Sequence, residues 1–187
     1  MVGVSVENYL SAELDSPVKH EYIDGVVYAM SGGRNVHGTI SSNITIALGS
    51  RLPEGPCQAM NSDVKIRIRL PGHTRFYYPD ASVICRPNPQ DDLYQDQPAL
   101  VAEVLSDSSR RTDQHEKKEA YLSMPSLDLY LLVETDAPVV VVYRRTESGF
   151  LREEWQGLDA VIPMAEVSME LPLSEIYRRV SFKTDSE

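Results

Sequence analysis

Apolar and polar residues recur with two different periods along the chain, and these periods outline its helices and strands. Apolar side chains return at helical spacing over residues 36–52, which predicts a helix despite the intervening Ser, Thr and Asn residues. Residues 63–70 alternate strictly, which predicts a strand with one buried face and one cationic face. An Asp-Gly pair at positions 24–25 lies between β-forming residues and predicts a tight hairpin over residues 20–30.

Shorter signals complete the pattern. Ser5 is a good N-cap for a helix that ends near Leu14, and Ser174 is predicted to cap a last short helix. Residues 87–98 are rich in Pro, Asp and Gln, which indicates a polar surface loop. One further helix is expected near residues 111–123. The remaining apolar segments predict strands, at residues 80–85, 99–105, 128–135, 139–146, 150–155 and 160–162.

In chain order, helices alternate with small groups of strands. This order favours an α/β fold in which a single central mixed β-sheet is flanked by helices. The 187 residues fit one domain, residues 1–187. A chain of this length can bury roughly 70 % of its unfolded surface. The tail from about residue 183 is expected to be frayed.

Composition, the first residues and the cysteines indicate the kind of protein and the cellular compartment to expect. Hydrophobic residues make up 42 % and charged residues 25 % of the chain, as in an ordinary globular protein. The first residues lack the basic start and long apolar stretch of a secretory signal, and no apolar run is long enough to span a bilayer. We therefore expect a cytoplasmic protein without membrane contact. Cys57 and Cys85 form no CxxC pair and are expected to be reduced thiols.

The formal net charge of −10 argues against a generic nucleic-acid binder, which usually presents a basic face. It does not exclude chemistry on phosphates, because bound divalent ions or a local basic strip can recruit them. Five arginines are candidates for such a strip: Arg67, Arg69, Arg75, Arg110 and Arg111.

Two carboxylates occupy unusual places in apolar strands. Asp80 follows Pro79 where a loop enters the strand at residues 80–85, and Glu103 interrupts the apolar strand at residues 99–105. A buried carboxylate costs several kcal/mol unless it is paired or binds a metal. The structural alternatives are a turn role for Asp80 and a buried ion pair with an arginine for Glu103.

Lys117 lies on the helix that follows, four residues before Tyr121, whereas Lys118 is expected to point about 100° away. Two carboxylates that hold a divalent ion, with a lysine that orients or activates water, suit phosphodiester cleavage. The structural alternative for Lys117 is a surface ion pair. Glu21 either adds a carboxylate to this site or faces water. His37 stays unassigned between a helix-start role and a phosphate contact.

Several common site types find no support in the sequence. The four histidines show no HxH or HExxH spacing, which disfavours a zinc site. The chain also contains no GxxxxGK[ST], GxGxxG or GxSxG motif, which removes the usual NTPase, dinucleotide and hydrolase-elbow interpretations.

In their order along the chain, these residues resemble the PD-(D/E)XK, or restriction-endonuclease-like, superfamily, and within it the widespread bacterial Uma-two family of endonucleases. The resemblance extends from about His20 to Tyr143. It rests on residues 20–25, 78–80, 100–106, 111–113 with Lys117 and Tyr121, and 130–133.

The resemblance implies the restriction-endonuclease-like α/β fold, a Mg or Mn ion held by Asp80 and Glu103, a DNA substrate and a homodimer. One position departs from the superfamily pattern. The usual lysine two residues after the acid is Leu105 here, and the family supplies its lysine from the following helix, which implies Lys117.

Two functions follow as hypotheses. The first is a Mg- or Mn-dependent DNA endonuclease with Asp80, Glu103, Lys117 and Glu21 at its catalytic site. The alternative is a catalytically inactive module with the nuclease fold that binds DNA or a protein partner, as the net charge and Leu105 suggest. The first hypothesis requires both acids on one face of adjacent strands, with Lys117 beside them and Lys118 directed elsewhere.

Overall fold

A computed structural model describes residues 3–106 and 113–182. In the first half of the chain the elements are α1 (Val6–Leu14), β1 (His20–Ile23), β2 (Val26–Ala29), α2 (Asn35–Arg51), β3 (Gln58–Asn61), β4 (Lys65–Leu70), β5 (His73–Tyr77), β6 (Ala81–Ile84), β7 (Tyr94–Gln95) and β8 (Pro98–Val104). In the second half they are a π-helical turn (Asp113–Lys117), α3 (Lys118–Leu122), β9 (Leu129–Val133), β10 (Val139–Thr146), β11 (Gly149–Gln156), β12 (Val161–Met164), a 3₁₀ turn (Ala165–Val167), β13 (Met169–Pro172) and α4 (Leu173–Ile176).

Most strands belong to two sheets. The larger has six strands in the order β11-β10-β9-β8-β6-β3 and is mixed, because β8 and β9 run parallel while the other neighbours are antiparallel. The second has five strands in the order β2-β1-β5-β4-β7, and β12 and β13 form a separate hairpin. The predicted class, an α/β fold with a mixed central sheet flanked by helices, is confirmed. The expectation of a single sheet is wrong.

The chain passes from the smaller sheet to the larger at residues 78–80. Tyr77 ends β5, which pairs with β1 and β4, and Ala81 begins β6, which pairs with β3 and β8. Pro79 lies between them and has no N–H group to donate to a strand ladder. The proline therefore breaks the strand where the chain changes sheets, which the alternation of apolar residues alone does not show.

The larger sheet is buried on both faces. On one face, the apolar side of α2 packs against sheet residues such as Leu100 of β8; this side includes Ile40, Ile44 and Leu48. The other face packs against side chains of the smaller sheet and of α3, in a cluster that contains Ile66, Tyr77, Val101, Tyr121 and Tyr130. Among the described residues, no helix is long and apolar enough to cross a membrane. The two sheets thus enclose a common core.

Most predicted elements are present, with identifiable exceptions. The Asn8 N–H donates to Ser5 Oγ at 3.2 Å, which confirms the first cap. Ser174 does not cap the last helix, because α4 begins at Leu173 with Pro172 before it. The loop at residues 87–98 contains the short strand β7, and the arrangement of residues 107–112 and 183–187 lies outside the described residues.

The cationic face predicted for β4 is partly buried. The side chain of Lys65 is covered by Tyr9 and Tyr78, and its Nζ donates to Tyr78 Oη at 3.0 Å. Burial lowers the pKa of Lys65, although the nearby Glu13 charge acts in the opposite direction. Helix α1 produces this burial by packing on the outer face of the smaller sheet.

Cys57 and Cys85 form a disulfide bond, so the expectation of reduced thiols is wrong. Cys57 precedes β3 and Cys85 follows β6, and the antiparallel register of these strands pairs Gln58 with Ile84. The two cysteines therefore lie opposite each other, although 28 positions separate them in sequence. Their spacing alone gives no sign of this pairing.

We predict that replacing both cysteines with alanine lowers the free energy of unfolding by roughly 3 kcal/mol, because the bond closes a loop in the unfolded chain. Urea unfolding of the oxidised protein, the reduced protein and the Cys57→Ala/Cys85→Ala variant measures this. Reduced wild type should behave like the variant. Two titratable thiols in the unreduced, denatured protein would contradict the bond.

Arg67 anchors the loop before β8. Its Nε and Nη2 donate to the two carboxylate oxygens of Asp96, both at 2.7 Å. Burial alone would raise the pKa of Asp96, but hydrogen bonds from Arg67 and Asn88, with the charge of Arg67, outweigh it and hold the pKa below its ordinary value. The ionised form of Asp96 therefore stabilises the fold.

We predict that Asp96→Asn lowers the free energy of unfolding by about 1 kcal/mol at pH 7, a modest value because the pair is partly exposed. Because the native pKa of Asp96 is lowered, its ionised form stabilises the folded state at pH values above the unfolded pKa of about 3.9. This contribution disappears as the pH falls through the native pKa. Wild type and variant should therefore converge as the pH falls through the native pKa of Asp96. Asp91→Asn, at an exposed position of the same loop, is the control; a difference that persists in acid would refute the argument.

Candidate active site

Asp80 lies immediately before β6, beside the neighbouring strand β8 that carries Glu103. The antiparallel register of β6 and β8 pairs Ala81 with Ala102, and continuing it by one residue sets Asp80 opposite Glu103. Opposed residues point to the same face, with Cβ atoms about 4.5–5.5 Å apart. The Val104 N–H donates to Asp80 Oδ2 at 2.8 Å and fixes this carboxylate. Both acids therefore point into one cleft.

Lys117 joins carboxylates from the two sheets. Its Nζ lies 2.8 Å from Glu21 Oε1 on β1 and 3.7 Å from Glu103 Oε1 on β8. The lysine side chain is 9 % exposed, and those of Glu21 and Glu103 are 14 % and 4 % exposed. Its ammonium also lies 5.4 Å from the ring centre of Tyr77. A cation this deeply buried needs such partners to offset its lost hydration.

The π-helical turn before α3 places the two lysines differently. Lys117 is the last residue of the turn and points into the cleft, whereas Lys118 begins α3 and lies over the ring of Tyr143, at 5.2 Å. A π-helical turn changes the angular spacing of side chains relative to an α-helix, and such turns are frequent at functional sites. The expected regular α-helix is therefore interrupted by a π-helical turn. The two lysine side chains point in different directions, as expected.

Tyrosines form the floor beneath the ion pair. The buried ring of Tyr121 packs against Tyr77 and Tyr130, with ring centres 5.7 and 5.5 Å apart. Burial, with a further contribution from the charge of Glu103, raises the pKa of Tyr121 well above its usual value. This phenol therefore stays neutral and supplies a rigid, apolar support for the charged groups above it.

Two further residues line the cleft, one that the sequence analysis left unassigned and one that it did not identify. His37 lies in the first turn of α2, and its Nε2 is 3.3 Å from Asp80 Oδ2. Glu116 also lines the cleft, and its Oε1 accepts a long hydrogen bond from Tyr77 Oη at 3.4 Å. A histidine at a helix start is the only sequence signal for the first, and no signal identifies the second.

The four sequence-predicted residues, Asp80, Glu103, Lys117 and Glu21, line a single open cleft of about 670 Å³. Their common location agrees with the geometry that the nuclease hypothesis requires. Their chemical roles remain predictions, because position alone does not establish them.

The donor set of the cleft bears on the implied metal. Within residues 3–106 and 113–182, no group of three or more His, Cys, Asp or Glu side chains is arranged to hold a metal ion. Magnesium, however, is commonly bound by one or two carboxylates and keeps several waters. The facing carboxylates of Asp80 and Glu103 fit that mode of binding. The predicted ligand pair is therefore compatible with Mg or Mn.

The predicted basic strip does not form a free cationic surface in the described part of the chain. Arg67 is paired with Asp96, and Arg75 lies 3.1 Å from Asp24 and 3.6 Å from Glu116. Arg69 is exposed, while Arg110 and Arg111 lie outside the described residues. Two of the three arginines of this strip that the structure describes are thus neutralised locally.

We predict that Lys117→Met destabilises the fold by about 3–5 kcal/mol, because it leaves Glu21 and Glu103 buried without their cation. Adding Glu21→Gln should restore part of this loss by removing one of the two charges. Lys118→Met, the adjacent control, should cost less than about 1 kcal/mol through its contact with Tyr143. Urea unfolding measures all four proteins. Equal losses for the two lysine variants would contradict the ion-pair geometry.

Comparison with known proteins identifies the family. Residues 6–174 match the model of the Uma2 family, described as "Putative restriction endonuclease". An uncharacterized protein of Synechocystis sp., slr1290, is 34 % identical over 182 residues, which cover 96 % of this chain and 94 % of that protein. A second Synechocystis protein, sll1609, is 27 % identical over 163 residues and covers 85 % of this chain and 91 % of its own length.

A solved structure supports the fold. The crystal structure of a putative nuclease belonging to DUF820 from Anabaena variabilis superposes with a TM-score of 0.71 at 19 % identity, covering 93 % of this chain and 97 % of that one. At this identity the likeness concerns the fold alone. Because the family model spans nearly the whole sequence, this chain belongs to the Uma2 family of restriction-endonuclease-like proteins.

Proposed function

We propose that this protein is a divalent-metal-dependent endonuclease that hydrolyses phosphodiester bonds in DNA, with Mg or Mn as its cofactor. The observation that carries the proposal is the position of Lys117 Nζ, 2.8 Å from Glu21 and 3.7 Å from Glu103, in a cleft that Asp80 also lines. Charged groups buried at an open cleft, rather than in a closed core, are typical of catalytic sites.

Asp80 and Glu103 would hold the metal ion, which when bound would offset negative charge on the phosphate. The Val104 N–H and the His37 ring keep the Asp80 carboxylate oriented toward the cleft. This fixed orientation means that the ligand pair needs little rearrangement before it acts.

Lys117 would position the attacking water. Its ammonium carries three N–H donors and no acceptor, so it can donate to a water or phosphate oxygen while Glu21 holds it in place. The water oxygen attacks phosphorus and its proton passes to solvent, one P–O ester bond breaks, and the leaving oxygen takes up a proton from solvent. The products are a phosphomonoester end and a hydroxyl end. Glu21 acts as a positioning residue in this scheme.

The second candidate function is a catalytically inactive module that binds DNA or a protein partner. Leu105 favours this second function. It occupies the position where the superfamily usually has a lysine, and its side chain is buried in the apolar core. The net charge of −10 and the paired arginines favour it as well. The homodimer implied by the resemblance and the cytoplasmic location expected from the sequence stay predictions, and light scattering of the purified protein tests the homodimer.

We predict that purified protein nicks supercoiled plasmid with Mg or Mn but not with EDTA. Asp80→Asn, Glu103→Gln and Lys117→Met should each reduce the rate by about a hundredfold or more, since each removes a group required for charge stabilisation or positioning. Glu119→Gln and Lys118→Met on α3 should retain wild-type activity, and loss of nicking in the three site variants purified in parallel would exclude a contaminating nuclease.

Calorimetric titration separates the two functions. Binding of Mg or Mn by wild type that is lost in Asp80→Asn, together with nicking, supports the enzyme. Absence of both metal binding and nicking favours the inactive module. Full activity in all three site variants would show that the assignment is wrong.

A further inference from the structure

A tyrosine stands beside the ion pair at the mouth of the cleft. Strands β1 and β2 pair in a register that sets Glu21 opposite Tyr28. Opposed residues of an antiparallel pair share a face, with Cβ atoms about 4.5–5.5 Å apart. Tyr28 therefore points to the same side as Glu21, the carboxylate that holds Lys117. The ring lies on the wall of the cleft, one side chain away from the proposed catalytic groups.

The fold makes little use of this ring. Tyr28 is 51 % exposed, and β2 is an edge strand whose four residues are all exposed. The tyrosines of the core behave differently, because Tyr9, Tyr77, Tyr121 and Tyr130 pack in aromatic pairs. Within the described residues, Tyr28 belongs to none of these pairs. Its ring is thus available to a molecule that enters the cleft.

The charge distribution limits how the protein can hold nucleic acid. Binding to duplex DNA relies on Lys and Arg side chains that neutralise many phosphates. This chain has a net charge of −10, and several of its arginines are engaged by carboxylates of the protein itself. The pairs are Arg51–Glu175, Arg67–Asp96, Arg75–Asp24, Arg144–Glu153 and Arg152–Glu154.

Stacking offers a source of affinity that needs no net positive charge. Aromatic side chains bind successive bases of single strands because every base presents a π-face. In duplex DNA those faces are covered by neighbouring base pairs, so an exposed ring at the cleft wall can stack only on an unpaired or displaced base. A ring next to Glu21 would hold such a base close to the phosphate at Asp80, Glu103 and Lys117.

We propose that Tyr28 stacks on an unpaired base next to the scissile phosphate, and that the substrate of this site is single-stranded or locally unpaired DNA. The inference rests on the proposed nuclease function for the phosphate, but the stacking contact itself is measurable without cleavage. Negatively supercoiled plasmid contains locally unpaired segments, so it remains a suitable substrate for the nicking assay above.

Binding is measured by fluorescence anisotropy of a labelled 20-nucleotide single strand, in EDTA so that no cleavage occurs. Tyr28→Ala should weaken binding 5- to 100-fold, the range expected for one lost base stack. Tyr28→Trp and Tyr28→Phe should retain it. Val27→Ala, on the opposite face of the same strand, is the matched control and should bind like wild type. Thermal unfolding confirms that each exposed-site variant is folded.

A strand of abasic sites provides the decisive comparison. Wild type should bind it as weakly as Tyr28→Ala binds the normal strand, and the substitution should have no further effect on abasic binding. Wild type should also bind the single strand more tightly than a duplex of the same sequence. Equal affinity of wild type and Tyr28→Ala for the normal strand overturns the stacking contact, as does failure to bind it. Tighter binding of the duplex overturns the substrate class.

Cleavage separates this inference from the proposed function. If wild type nicks plasmid and cuts duplex oligonucleotides as fast as single strands, the nuclease function stands and the substrate class is wrong. If wild type binds single strands through Tyr28 but cuts nothing with Mg or Mn, the proposed function fails and the stacking contact stands.

Discussion

The ion pair of Lys117 with Glu21 and Glu103 is the interaction on which the geometry of the site depends. One carboxylate comes from each of the two sheets, so a single ammonium joins an interior strand of one sheet to an interior strand of the other. A buried arrangement of this kind is weak evidence for stability, because desolvation cancels much of the attraction. Its position at an open cleft, rather than a gain in stability, is the observation on which the proposed function rests.

The course of the chain at Pro79 determines where Asp80 lies relative to this ion pair. Because proline interrupts the ladder after β5, the chain leaves the smaller sheet and joins the larger one within three residues. Asp80 thereby becomes the first residue at the edge of the new pairing, opposite Glu103, where its side chain can reach the cleft. A carboxylate two residues further along the ladder, at the position of Ser82, would lie inside the sheet, where the Ser82 side chain is completely buried.

An acidic protein that acts on DNA must obtain affinity from contacts other than long-range attraction. A divalent ion at Asp80 and Glu103 would reverse the charge locally, and Lys117 adds one fixed cation beside it. Stacking at Tyr28 would add a contribution that depends little on salt, unlike phosphate contacts. The paired arginines suggest that broad, sequence-independent attachment to duplexes is disfavoured, so contacts inside the cleft would dominate recognition.

Patterns among neighbouring residues of the sequence determined most of the helices and strands and the candidate site residues. The helical period of residues 36–52 and the Asp-Gly turn depend on neighbours within a few positions, and the structure keeps both. Carboxylates within apolar strands identified Asp80 and Glu103 because burial of a charge is costly wherever the strand lies. A lysine on the following helix indicated Lys117, and the resemblance to a family added its expected role and the restriction-endonuclease-like fold; the family is confirmed.

Only the tertiary structure decided which distant residues meet. The division of strands between two sheets, the disulfide of Cys57 with Cys85 and the contact of His37 with Asp80 all follow from long-range register. Register depends on how whole strands pair and pack, and a period of two is the same whichever partner a strand takes. The pairing of Tyr28 with Glu21 is an intermediate case. The hairpin fixed its register, and the packing of the larger sheet nearby made that face a wall of the cleft.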